Sequence, residues 1–176
     1  MDDARADGVR VAYPLFQAGG GGSTPTSALQ LRVEWMRFTT ARQLNRAWHS
    51  RLPRFGVGAV KNPDARFSCF GSEFDGLWYA VAIWSLPESR ELPQDGSWYA
   101  LRRLAVAPDA PRNTPSRMLA VMTRILRKER PDTERLISYQ DTEAHTGCIY
   151  RSAGWVMVDT TGSNTQWDQP GRRRPK

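Results

Sequence analysis

Two stretches of the 176-residue chain join residue types that can do chemistry at a spacing that chemistry needs. The first is Leu101-Arg102-Arg103-Leu104-Ala105-Val106, followed after a short polar loop by Ala110-Pro111-Arg112-Asn113-Thr114-Pro115-Ser116-Arg117. A strand pattern there runs through a tight loop into a helix start. Such a start leaves backbone N–H groups unpaired and carries partial positive charge, so it can seat a phosphate. Arg112 and Arg117 flank the position, and Asn113, Thr114 and Ser116 supply polar groups. Each charge-assisted hydrogen bond to an anion there adds about 1.5–3 kcal/mol. The competing reading has Thr114 or Ser116 capping the helix and both arginines solvated.

The second stretch runs from Ser138 to Trp155 and places Asp141 where a strand ends and Tyr150 in the short helix that follows. Open sheets put ligands at the carboxyl ends of their strands. A carboxylate and a phenol so placed can move protons. Their structural alternatives are a turn residue bonded to its own backbone and a packed aromatic. His49, one of two histidines, closes an earlier helix pattern beside Arg51 and Pro53. An imidazole can act as base or metal ligand, although position alone reads it as a surface residue ending a helix.

Positioning these groups takes an alternation of strands and helices. Leu29–Phe38 alternates apolar and polar residues as a strand does, and Thr40 can cap a helix over Ala41–Arg51 that Pro53 stops. Phe55–Val60 and Phe67–Phe70 are strand-like around the turn Asn62-Pro63-Asp64. Leu77–Leu86 is apolar on both faces, the mark of a covered central strand, and Trp98–Val106 follows it. Pro115 opens the clearest helix, striped by Met118, Leu119, Met122, Ile125 and Leu126. Arg135–Asp141, a short helix Gly147–Ala153, the strand Trp155–Thr160 and a short strand at Thr165–Trp167 complete an α+β sheet with helices on its faces. Residues 1–28, with Gly19–Gly22, read as a flexible arm, residues 29–169 as one domain, and 170–176 as a basic tail.

Composition narrows the class. With Lys+Arg 25 against Asp+Glu 18 the formal charge is +7, which suits an anionic partner. Hydrophobic residues at 40% can build a core and exclude global disorder. No apolar run approaches the ~20 residues that cross a bilayer. Cys69 and Cys148 make no disulfide framework, so the expected setting is the cytoplasm.

The strand–loop–helix unit with Ile149-Tyr150-Arg151-Ser152-Ala153-Gly154-Trp155 after the next strand resembles the GNAT superfamily of acyl-CoA-dependent N-acyltransferases. The usual glycine-rich diphosphate loop is replaced here by Ala110–Ser116. Together with His49-Ser50-Arg51-Leu52-Pro53 and Ser138-Tyr139-Gln140-Asp141, this departure is similar to the Mom-like DNA-modification proteins of phages and prophages. The similarity covers Arg37 to Trp167. The resemblance implies a mixed, centrally splayed sheet, with acetyl-CoA or another acyl-CoA bound by Leu104, Ala105, Val106, Arg112, Asn113, Thr114, Ser116 and Arg117. It makes His49, Asp141 and Tyr150 catalytic, Tyr150 as the proton donor to the leaving thiolate, and adds iron held by His49 and Asp141, with His145 or Tyr150 as further ligands. It further implies methylcarbamoylation of the exocyclic amine of adenine in double-stranded DNA, contacted by Arg102, Arg124, Lys128, Arg151, Arg172, Arg173 and Arg174. Acylation of a small or protein amine, and a non-catalytic DNA-binding module, are the alternatives. Oligomeric state stays open, a homodimer included.

Overall fold

The computed structural model describes residues 23–56, 61–141, 145–161 and 164–170. Its first element departs from the expected strand over Leu29–Phe38. Ser27 and Gln30 form a capping box that winds Ala28–Gln30 into a 3-10 turn, leaving strand β1 only Arg32–Trp35. Helix α1 spans Phe38–Trp48, beginning two residues before Thr40. Thr40 does not cap it; the Phe38 N–H donates to the Asp64 carboxylate (2.6 Å), supplied by helix α2, Pro63–Arg66. Of the expected strand Phe55–Val60, Phe55 and Gly56 lie in loop and residues 57–60 fall outside the described residues. The Gly19–Gly22 run and Arg172, Arg173 and Arg174 lie outside them too.

Strands β2 (Ser68–Phe74), β3 (Leu77–Ser85) and β4 (Trp98–Val106) form an antiparallel meander with β1 on its outer edge. The apolar run of β3 is buried from Tyr79 to Ser85, as a strand covered on both sides must be. Val81 and Ile83 face α1, and Ala80, Ala82 and Trp84 face helix α3, Thr114–Glu129. The helices therefore cover opposite faces, α3 through Met118, Leu119, Met122 and Leu126.

Strand β5 (Arg135–Asp141) returns parallel to β4, and helix α4 (Cys148–Ser152) follows on the α3 face. Strand β6 (Val156–Thr161) turns into β7 (Asn164–Pro170). The last strand is longer than Thr165–Trp167 and inserts between β5 and β6, giving the order β1-β2-β3-β4-β5-β7-β6. Trp167 on β7 carries the reason: its buried indole N–H donates to Gln140 Oε1 of β5 (2.8 Å) and its ring stacks on Tyr150. No helix among the described residues is long and apolar enough to cross a membrane.

Candidate functional site

The site opens where β4 and β5 part. Their ladder covers only Trp98–Leu101 against Arg135–Ser138. Beyond it β4 stays with β3 while β5 runs on with β7 to Asp141. The register of β3 and β4 shifts between Ile83 and Trp84, placing an extra residue, Arg102, at the point of divergence. The gap is a cleft of about 1020 Å³, lined by β4 from Ala100 to Leu104 and Val106, by β5 from Ser138 to Asp141, and by both helix faces. His49, Arg51 and Leu52 enter from the α1 side; Pro115, Cys148, Ile149 and Tyr150 enter from the α3 side.

Backbone alternation decides which groups of β4 meet the cleft. The Ala107 N–H donates to Tyr79 O on β3 (2.9 Å), so Val106 and Leu104, one and three residues back, turn theirs toward the open side. Ala105 turns toward β3, and its side chain is buried against α1. Ala105 therefore drops out of the expected carbonyl-binding edge, and Leu104 and Val106 remain.

Helix α3 begins at the cleft with Asn113 in the left-handed region (φ 69) and no side chain capping its first turn. The Thr114 and Ser116 hydroxyls donate to Pro111 O (2.6 Å) and Asn113 O (3.1 Å), bonds that shape the turn. Arg112 is exposed beside the helix start. Arg117 donates from its guanidinium to Leu31 O (2.8 Å) and ties α3 to the turn before β1. That partner lies 86 residues away, which is why spacing could not reveal it.

Tyr150 is buried between Trp167 (ring centroids 5.1 Å apart, stacked) and Trp155 (5.8 Å), with its Oη 2.8 Å from Ser138 Oγ on β5. Burial pushes the phenol's pKa up, the Ser138 hydrogen bond opposing it, so Tyr150 holds its proton across neutral pH. Gln140 supports this wall. It accepts from the Trp167 indole and donates to His145 O, anchoring the segment that carries His145 and Thr146 into the cleft ahead of α4. Its buried amide lies within the Ser138-Tyr139-Gln140-Asp141 motif, but both of its partners are set by the fold, so the motif assigns it no role.

On the α1 side, buried Asn45 donates to Leu52 O and Pro53 O and shapes the turn that presents His49 and Arg51. Arg51 forms an ion pair with Asp141 across the cleft mouth. His49 Nδ1 accepts the Leu52 N–H (3.1 Å), so the neutral ring carries its proton on Nε2 and faces the site as a donor. Burial first, then the Arg103 and His145 charges, lower the His49 pKa. The folded state thus binds this proton less readily than the unfolded chain. Stability is complete above the ordinary imidazole pKa of ~6.5 and falls as pH drops below it. In melts across that range, His49→Gln should flatten the acid-side loss relative to the parent protein; an unchanged slope would assign the loss elsewhere.

Iron does not fit. Among the described residues no three His, Cys, Asp or Glu side chains come close enough to hold a metal. Asp141 is engaged by Arg51, and His49 keeps its proton on the nitrogen a metal would need. The expected nucleic-acid residues scatter. Arg102 is largely buried, bound to Glu88 (2.7 Å) and Ser85, and Arg151 donates to Thr146 O beside the Trp167 ring. Arg124 and Lys128 are exposed, on the α3 face.

Residues 89–173, which contain the β4 and β5 sides of the cleft but not His49, Arg51 or Leu52, match the model of the Mom protein family. The GNAT domain of Streptomyces lividans PAT superposes with a TM-score of 0.60 at 10% identity, covering 80% of this chain and 90% of that one. An acetyltransferase of Bacillus subtilis solved with CoA gives 0.56 at 8% identity, covering 80% and 98%. The aminoglycoside acetyltransferase AAC(6')-Ib, solved with paromomycin and acetyl-CoA, gives 0.58 at 12% identity, covering 82% and 94%. No curated protein matches the sequence. The chain has the GNAT fold.

Proposed function

We propose that this protein is an acyl-CoA-dependent N-acyltransferase that modifies the exocyclic amine of adenine in double-stranded DNA, working in the bacterial cytoplasm. The observation carrying the transferase part is the cleft between β4 and β5, with free backbone donors on one wall and a buried phenol on the other. The DNA part rests on the family match over the β4 and β5 sides of the cleft.

The residues fit a coenzyme thioester. The uncapped start of α3 and exposed Arg112 suit its diphosphate, and the parted strands admit its pantetheine arm. Bound acyl-CoA would supply an activated carbonyl and a thiolate leaving group. Leu104 and Val106 N–H groups would polarise that carbonyl. Tyr150 Oη would deliver its proton to the departing sulfur as the C–S bond breaks and the C–N bond forms. At the other mouth, the His49 Nε2–H would orient the base, and Asp141, held by Arg51, would accept the proton shed by the amine. An adenine reaching this depth must leave the helical stack, at a cost of a few kcal/mol.

The test is mass spectrometry of nucleosides from DNA of cells expressing the protein. A new adenine derivative is expected; an unaltered adenine profile from well-folded protein rejects the DNA reading. Incorporation of acyl label into small amines instead would select the plain N-acetyltransferase.

A further inference from the structure

A long acid-free basic run of this chain leads to the mouth of the cleft, where His49 and Arg51 line it. Between Arg37 and Pro63 there are six basic residues (Arg37, Arg42, Arg46, Arg51, Arg54 and Lys61) and no acid. That segment accounts for +6 of the net +7; the rest of the chain, with 19 basic and 18 acidic residues, is nearly balanced. All six are exposed, and among the described residues only Arg51 forms an ion pair with a carboxylate. The apolar face of α1 is spent on the core through Phe38, Ala41 and Leu44, which leaves Arg42 and Arg46 one turn apart on the solvent side. The helix then ends at His49, on the lip of the cleft, with Arg51 just inside and Arg54 just beyond.

We infer that the outer face of α1 and the following loop grip the phosphate backbone of duplex DNA beside the extruded base. The inference rests on the DNA reading above and adds the surface that reading lacks. The α1 helix lies outside residues 89–173, so the family match does not bring this surface with it. It displaces α3 from the role: Arg124 and Lys128 lie on the opposite face of the sheet from His49, Arg117 is tied to Leu31, and Arg127 to Gln169. A duplex laid on that face could not present a base at the His49 mouth. Phosphates lining a strand suit cations repeated about 6 Å apart along a helix, four residues at 1.5 Å each.

The experiment is fluorescence anisotropy of a labelled duplex with the full chain, titrated from about 50 to 200 mM salt. Each lost phosphate contact lowers the slope of log affinity against log salt by ~0.9. The double variant R42Q/R46Q should therefore bind with a slope shallower by about two, and more weakly at low salt, while R124Q/K128Q matches the parent. Both variants should melt with the parent, since the altered side chains are exposed. If R42Q/R46Q binds as the parent does, this surface is wrong and the DNA reading stands. A parent protein that binds no duplex overturns both. Competition by phosphatidylserine vesicles at equal charge, abolished in R42Q/R46Q, would assign the surface to membranes and overturn the inference.

Discussion

Tyr150→Phe should lower acyl transfer, followed as free thiol released from acetyl-CoA with DNA as acceptor, by about 10²–10⁴-fold with little change in coenzyme affinity. The ring would stay stacked between Trp155 and Trp167, so only the hydroxyl is lost. That hydroxyl also bonds Ser138, so some loss of stability follows, about 1–2 kcal/mol for a buried partner left unmatched. Ser138→Ala separates the two effects. It removes the same hydrogen bond but keeps the phenol, so it should lose comparable stability and only a few-fold in rate. Because burial raises the Tyr150 pKa above that of an ordinary phenol, the parent rate should show no alkaline decline from this group below about pH 10. Equal rates for Tyr150→Phe and Ser138→Ala would remove Tyr150 from the chemistry and leave it a packed aromatic.

Gly147→Ala should be among the most damaging small substitutions in the chain. Gly147 sits before α4 at φ +73, a conformation that costs an L-residue about 1–2 kcal/mol. A Cβ there would also overlap the Trp167 ring and come 2.7 Å from Gln140 Oε1. Neither can retreat, because the indole N–H is bonded to that same Gln140 oxygen and the ring is stacked on Tyr150. Moving them adds roughly 1–3 kcal/mol, and the sum should depress the melting midpoint on the order of 10 °C. Gly76→Ala is the reference. Its φ of +78 is similar but a Cβ there meets nothing within 4 Å, so it should show the backbone part alone. Since Trp167 backs Tyr150, surviving Gly147→Ala protein should also transfer acyl groups more slowly. Identical melting of the two variants would show that the Trp167–Gln140–Gly147 contact is slack.

Much of this architecture follows from short-range pattern. Two-residue alternation and its absence in Leu77–Ser85 mark strands and the covered one among them; the stripe from Met118 to Leu126 behind Pro115 marks α3. Those periods depend on residues within one turn or one pleat, so the sequence carries them without reference to the fold. The same holds for the nearness of Asp141 and Tyr150, which share one strand–helix unit, and for the resemblance that joined His49 to them. Pairing across long separations is another matter. Nothing local states that β7 slips between β5 and β6, that β4 and β5 separate after Leu101, that Asp64 completes the start of α1, or that Arg117 and Arg51 are spent on Leu31 and Asp141. The arginines illustrate the reason. A guanidinium on a helix or loop can meet solvent, a carbonyl or a carboxylate equally well as far as its neighbours in sequence are concerned, and only the packed chain settles which partner lies within reach. Residue type and period thus determined most of the elements from Leu77 onward and which side chains could react; tertiary contact decided the elements around α1 and which of those side chains are left open to a substrate.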